Sequence, residues 1–479
     1  MIWNSYVLNE EEIKKIHEES IRILEEAGVK VGSEKALAVL EKGGAQVDWD
    51  TQIALISRKM VESALASAPK EFTLGARNPQ FDLHLPSSRP TLTMDGCGSY
   101  VLDLETGVRR EAVMQDIRNI GKIFDHIEPA SVLWTALMPA DDYLKAESAA
   151  FLSSCESLLS SGKHLQDEIQ RVEELPYYIE VLKTILGSEQ AVIDRKIFSA
   201  CYCTVAPLTH DKKMLEGTME LTKYKAPVLM YPMPACGTTG PASIFADVAL
   251  ANAESLSSVV IYQLTTPGTP LIYGAALGKA NMRNGFFMEG APETALCMMA
   301  MNQMGRFYQL PTLMAGCLTD ALEPGTQTAM EKMMTTLPLA GQRADVIQGL
   351  GLLESSMTLS YEQMLIDEEI FKQCLRFADG VDVCDEKALF EDIAAVGPGG
   401  HFLKRKSTRK AFRTDEFYDS KAIIGEAYGS WDAGGRQNMV TLAHKRIEEI
   451  LKADPISPID HNTEKIIREI MKDAEANLK

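Results

Sequence analysis

Asp320 and Glu323 lie in the stretch Gly316-Cys317-Leu318-Thr319-Asp320-Ala321-Leu322-Glu323-Pro324-Gly325-Thr326-Gln327. An apolar run, Pro311 to Ala315, precedes them, and a helical period opens near Gly325. Both acids therefore fall in a strand-to-helix loop held by Pro324 and Gly325. Carboxylates so placed can pair with a cation or shift a proton. In a parallel α/β barrel such loops form the active-site rim. Reading the other strand ends the same way adds Asp95, Trp134, His210, Tyr231 to Cys236, Gly278 to Arg283, and Glu354. Capping or packing is the competing role for each. Glu323, Asp320 and His210 are the expected catalytic residues, and Asp95 is expected to bind substrate.

The longest strand-to-helix connection is the sixth, Leu277 to Gly290. Long loops on a rigid rim bind or cover substrate. Arg283 within it has two readings, a planar clamp for a carboxylate or a surface ion pair. Cys201 and Cys203 alternate onto one face of the fourth strand, and His210 follows. Thiolates with imidazole can hold zinc. Without a tight Cys-x-x-Cys or His-x-x-x-His cluster, core packing is the favoured reading and no metal site is expected. Gly96-Cys97-Gly98 and Gly349-Leu350-Gly351 complete neither a dinucleotide fingerprint nor a phosphate loop. Asp82-Leu83-His84 opens a corrinoid-binding pattern, but Ser87 stands where its glycine belongs.

The elements that must position these residues alternate regularly. Apolar or β-branched runs near 91–95, 131–138, 163–167, 198–205, 227–233, 269–276, 311–317 and 345–353 read as strands. Helical periods follow near 111–125, 142–161, 171–187, 211–225, 241–263, 291–309, 325–341 and 360–378. Eight strand–helix units predict an α/β fold, a closed (β/α)8 TIM barrel, with an open doubly wound sheet as the alternative. The third strand, Lys163-His164-Leu165-Gln166-Asp167, has the least β character. Residues 1–90 read as a mainly helical N-terminal extension, with Asn9 and Glu12 as a capping box. Residues 91–384 form the barrel. Residues 385–479 read as a helical cover packed on it, whose final charged helix is expected to be exposed.

Composition narrows the class. The chain has 48 Lys plus Arg against 67 Asp plus Glu, a formal charge of −19. That surface repels nucleic acid and anionic membranes and suits a cationic ligand. No signal peptide and no apolar run long enough to cross a bilayer are expected. The nine cysteines lack a disulfide-like spacing, so reduced thiols and a cytoplasmic location are expected.

The loop at Glu323 resembles the active-site loop of the trimethylamine methyltransferase family. In founding members it carries pyrrolysine just before a proline, a few residues after a Ser-Asp pair. Here Thr319-Asp320 stands for the pair and Glu323 stands at the pyrrolysine position. Further matching segments are Leu102 to Arg110, Tyr231 to Pro241, Pro267 to Pro270, Tyr273-Gly274, Met282 to Gly285, Gly290 to Glu293, His401 to Leu403 and Thr408-Arg409. The resemblance implies a (β/α)8 barrel that passes a methyl group from a methylamine to cobalt(I) of a corrinoid (cobalamin) carried by a separate protein.

Glutamate cannot form the adduct that the pyrrolysine imine forms with a free amine. The chain thus resembles the non-pyrrolysine branch, whose substrates include quaternary amines such as glycine betaine. Such a nitrogen is already charged and leaves as a neutral tertiary amine. Aromatic faces can hold it, at about 0.5–2 kcal/mol each. Tyr100, Trp134, Tyr231 and Tyr273 are the cage candidates. The implied partners are a small quaternary amine, a cognate corrinoid protein and further copies of the chain. Proline betaine, carnitine or butyrobetaine as donor, a zinc-dependent methyltransferase and a non-catalytic betaine-binding barrel stay open as other readings.

Overall fold

The computed structural model describes residues 5–478 apart from 97, 142–145 and 421. Eight short strands build its centre: β1 Thr91–Thr93, β2 Ala130–Trp134, β3 His164–Glu168, β4 Phe198–Tyr202, β5 Val228–Met230, β6 Leu271–Ala275, β7 Thr312–Ala315 and β8 Val346–Gln348. Each pairs in parallel with the next in chain order, and the register of β8 on β1 closes the ring, with Gln348 beside Thr93. The fold is a (β/α)8 barrel. The outer helices are α1 Met114–His126, α2 Ala146–Ser160, α3 Leu175–Leu186, α4 Lys213–Leu221, α5 Ile244–Thr265, α6 Pro292–Phe307, α7 Thr326–Gly341 and α8 Tyr361–Ala378.

β3 is a strand despite its polar sequence, because its side chains have partners on both faces. Lys163 at its start donates to the carbonyls of Phe124, Ile127 and Ala130 at 2.9, 2.7 and 2.5 Å. Asp167 faces outward and accepts from Ser154 of α2. His164 faces the lumen, bonded to the Gly75 carbonyl at 2.8 Å and to Ser199 at 2.9 Å. Residues 72–85 thus close the floor of the barrel.

α5 is apolar on nearly its whole circumference, since the N-terminal extension covers its outer side. Helix Glu10–Arg22 lies on it, and Ser20 is bonded to the Ala249 carbonyl and to Asn252. By length and hydropathy α5 would suffice to cross a bilayer, contrary to expectation; its window is 83% buried inside the protein. The extension also contributes strands of three residues each, Val29–Val31, Gln46–Asp48 and Ile53–Leu55. Runs that short leave no alternation to read.

Past α8 the chain forms four short helices between Asp385 and Ala433 with no buried residue in them. Two longer helices then return to the barrel. Met439–Lys452 lies against α8 and α1. His461–Asn477, expected to be exposed, buries Ile467, Met471 and Ala474 against α2 and α3. The spacing of those three residues is one helical stripe.

Candidate active site

Side chains on alternate strand residues meet in the lumen. Contacts identify the inward series. Trp134 at the end of β2 lies under the backbone of Gly96, where a Cβ would come within 2.4 Å of its Nε1. Its ring meets Tyr231 edge-on, at 5.5 Å and 68°. The Tyr231 hydroxyl reaches across to Gln348 of β8. Gly274 on β6 is small because Leu229 and Tyr231 occupy the space of its side chain. Gln166 and Glu168 of β3 face Ser199 and Cys201 of β4 in register. The amide nitrogens of Gln166 and Gln348 and the indole Nε1 of Trp134 are buried without a hydrogen-bond partner among the described residues.

Above this floor the lumen is acidic. Asp95, just past β1, is buried and accepts from the Gly96 N–H at 2.7 Å. Burial, then the charges of Asp167 and Asp95, push Glu168 up to about 8. Glu289, from the sixth connection, is buried and accepts from Ser356 at 2.8 Å. Burial and the neighbouring Asp95 charge push it, too, up to about 8. A pocket that holds carboxyls part-protonated at neutral pH is built to gain when a cation enters.

Asp320 organises the rim. Its Oδ1 accepts from the Glu289 and Gly290 N–H groups at 2.7 and 3.1 Å and from Ser355 at 2.8 Å. Its Oδ2 is buried and meets no donor among the described residues. Three consecutive residues, Glu354, Ser355 and Ser356, have φ of +56°, +49° and +64°. This left-handed run is uncommon outside glycine. It aims Glu354 at Arg109, Ser355 at Asp320 and Ser356 at Glu289.

The structure places Trp134 and Tyr231 at the floor of this chamber and Asp95 and Asp320 on either side of Glu289 above it. Glu323 occupies the same rim loop with an exposed side chain, and its carbonyl accepts from Thr328 at 2.6 Å. Arg283 is exposed at the tip of a hairpin formed by Gly278–Ala280 and Phe287–Met288. Tyr100 lies on a small sheet over the rim, its ring 3.4 Å from the Arg109 guanidinium.

Two expected site residues point elsewhere. Tyr273 faces the helix layer, where its hydroxyl donates to Asn252 at 2.6 Å. His210 lies between β4 and α5, with Tyr202 at 2.9 Å and Ser257 at 2.8 Å on its two ring nitrogens. Burial pushes it down to about 4, which keeps it neutral. Asp82 pairs with Arg195 at 2.7 Å, and His84 lies exposed in the hairpin at the floor end.

Glu168 and Glu289 were missed. The signal for Glu168 was the polar run of β3 itself, since a strand with polar residues at 164, 166 and 168 has a polar lumen to face. Glu289 had only the length of its loop as a pointer. A cleft of about 1620 Å³ lies elsewhere, between α8, residues 82–91 and the segment around Phe412; Asp82 and His84 line it, and none of the acids and rings of the chamber does.

The whole chain matches known proteins. Residues 2–478 fit the profile of the trimethylamine methyltransferase family. A glycine betaine methyltransferase of Desulfitobacterium hafniense is 32% identical over 449 residues, 93% of this chain and 92% of that one. A trimethylamine methyltransferase of Methanosarcina barkeri is 29% identical over 470 residues, 97% of this chain and 93% of that one. Among solved structures, the monomethylamine methyltransferase of Methanosarcina barkeri is 11% identical with a TM-score of 0.49, covering 94% of this chain and 95% of that one. With an acidic, aromatic chamber at the C-terminal ends of a (β/α)8 barrel and a family match over nearly its full length, the chain belongs to the trimethylamine methyltransferase family and is a methyltransferase.

Proposed function

We propose that this enzyme takes a methyl group from a quaternary amine, glycine betaine or a related betaine, and hands it to cobalt(I) of a corrinoid on a separate protein. The observation that carries this reading is the convergence of Asp95, Glu168 and Glu289 with the rings of Trp134 and Tyr231 in one buried chamber. A quaternary ammonium is the ligand that such a chamber suits. Its fixed charge meets the carboxylates, and its methyl groups meet the rings. The D. hafniense relative bears a glycine betaine activity in its name. Reduced thiols at all eight described cysteines fit a cytoplasmic enzyme. Exposed Phe390, Leu403, Phe412 and Tyr428 on the C-terminal extension fit a homo-oligomer.

The corrinoid supplies the nucleophile, and it reaches the mouth as a co-substrate on its own protein. The chain's task is to hold the donor with one N-methyl pointing outward and to keep water away. Gly96 over Trp134 and the Tyr231–Gln348 contact fix the floor that sets this depth. As the N–C bond breaks, its electron pair stays on nitrogen and a neutral tertiary amine leaves. No proton is required, so the neutral, fully bonded His210 is not needed as an acid. Fading of the substrate charge weakens its hold on the carboxylates, which favours release of the product.

The carboxylate end of a betaine needs a donor. The Gly237 and Thr238 N–H groups are taken by the carbonyls of Gly240 and Ala235, both at 3.0 Å. Arg283 on its hairpin is the proposed clamp. Arg283→Ala should raise the KM for a betaine sharply and that for choline, which lacks the carboxylate, much less. Equal losses would assign Arg283 to the partner interface or the fold.

The deciding experiment is a screen of quaternary amines with cob(I)alamin as acceptor. Formation of methylcobalamin with a betaine supports the proposal. Betaine binding without transfer would leave a binding protein, and turnover of trimethylamine alone would overturn the substrate class.

A further inference from the structure

Cys201 and Cys203 are two residues apart on the inward face of β4 and its extension. Their sulfurs are 3.8 Å from each other. A carboxylate oxygen of Glu168, at the end of the neighbouring strand β3, lies within 4.8 Å of both. The register puts Glu168 directly beside Cys201. Cys201 is buried, while Glu168 and Cys203 are half-buried toward the mouth.

Two thiolates bound to one zinc at about 2.3 Å in tetrahedral geometry are about 3.8 Å apart. Plain sulfur contact gives a similar figure, so the distance alone decides nothing. The third ligand and the surroundings single out this pair. The charged groups acting on the Cys201 thiol, namely Cys203, Glu168 and Asp95, are all acids. One inward step below lies the fully buried Gln166, whose amide nitrogen has no partner among the described residues. Gln170 reaches Glu168 from the loop side at 3.2 Å and orients its carboxylate, as supporting groups do around metal ligands.

We infer that Cys201, Cys203 and Glu168 form a binding site for a soft divalent cation, zinc first, with the fourth position open toward the mouth. Two thiolates select zinc over magnesium or calcium. Three protein ligands with one free position is the pattern of zinc sites that exchange a ligand. Three negative ligands outweigh the two charges of the ion by one, so an occupied site still attracts a cation to the chamber above. The site does not depend on the identity of the methyl donor.

The test uses the full-length protein, grown with zinc and dialysed, and read by elemental mass spectrometry. One equivalent of zinc per chain is expected, together with a thiolate-to-cobalt charge-transfer band after exchange into cobalt(II). The double variant Cys201→Ser/Cys203→Ser should lose both signals while keeping the wild-type circular dichroism. If that variant does not fold, Glu168→Gln takes its place; it should keep the thiolate band and release metal to a chelator faster than wild type. Zinc held equally by wild type and the double variant, a wild-type cobalt form without the thiolate band, or unchanged release from Glu168→Gln would each overturn the assignment.

Discussion

Glu289 is the residue on which the electrostatics of the chamber turn. With its carboxyl pushed up to about 8 by burial and by Asp95, it carries a proton for most of the time at neutral pH. An arriving ammonium stabilises the ionised form, so that proton must leave. Binding of a quaternary amine near pH 7 should therefore release protons, and affinity should rise as pH climbs toward 8. Calorimetry in buffers of different ionisation enthalpy measures the release. Glu289→Gln should reduce it and weaken binding by roughly tenfold, about 1.4 kcal/mol. Undiminished release from the variant would transfer the role to another acid. Asp320 differs, since its Oδ1 is already committed to three donors. Asp320→Ala should lower stability as well as activity, by about 1–3 kcal/mol for the donors left unmatched. Urea unfolding followed beside turnover separates the two effects.

At the scale of elements, α7 is fastened to the barrel by one buried cation. Lys332 donates to the carbonyls of Cys317 and Gly349 at 2.8 and 2.9 Å and to Asp367 at 2.7 Å, and both side chains of the ion pair are fully buried. Lys332→Met should cost about 3–5 kcal/mol, because Asp367 is left charged and unpaired inside the protein. Replacing both partners with apolar residues should restore much of the loss. The same elements show what a sequence can and cannot disclose. All eight strand–helix units stand where their periods put them, since apolar runs and amphipathic helices are local patterns. Which face of a strand looks inward is not local. Barrel strands are covered on both sides and are apolar on both, so nothing in Leu271-Ile272-Tyr273 shows that the tyrosine turns to the helices. Asp95, Trp134 and Tyr231 were legible because they end their strands. His210 was not, because the two-residue strand Thr209–His210 pairs with Lys30 and Val31 of the extension, a contact made across nearly two hundred residues of chain.

For the whole molecule, buried acids predict an unusual pH profile. Glu289, up to about 8, and Glu174, up to about 7, hold protons when folded that they release at 4.5 when unfolded. A raised carboxyl favours the folded state at low pH, and that contribution fades as pH rises through the folded value. His164 and His210, both down to about 4, act in the opposite sense, but only between about 4 and 6.5. Above 6.5 the carboxyls are unopposed. Stability of the ligand-free protein should therefore fall between pH 6.5 and 8, and a saturating quaternary amine should flatten the slope. Melting temperature across that range, with and without ligand, checks both statements. A rise instead of a fall would mean that the acids are ionised throughout.

The left-handed turn at 354–356 links connections that are far apart in the chain. Its backbone amides donate to Ala321 and Thr319, and its three side chains reach Arg109, Asp320 and Glu289. One turn thus joins the first, sixth, seventh and eighth connections of the barrel. Loop grafting in (β/α)8 enzymes assumes that each connection is an independent module on a common frame. Here that modularity is lost on one side of the mouth. A sixth connection transplanted alone from a relative with another donor should fold poorly or bind nothing, whereas one transplanted with its native seventh and eighth partners should carry its specificity along. In this protein the inherited unit of substrate choice is half a rim, and new specificities must arise by compensated change across several loops.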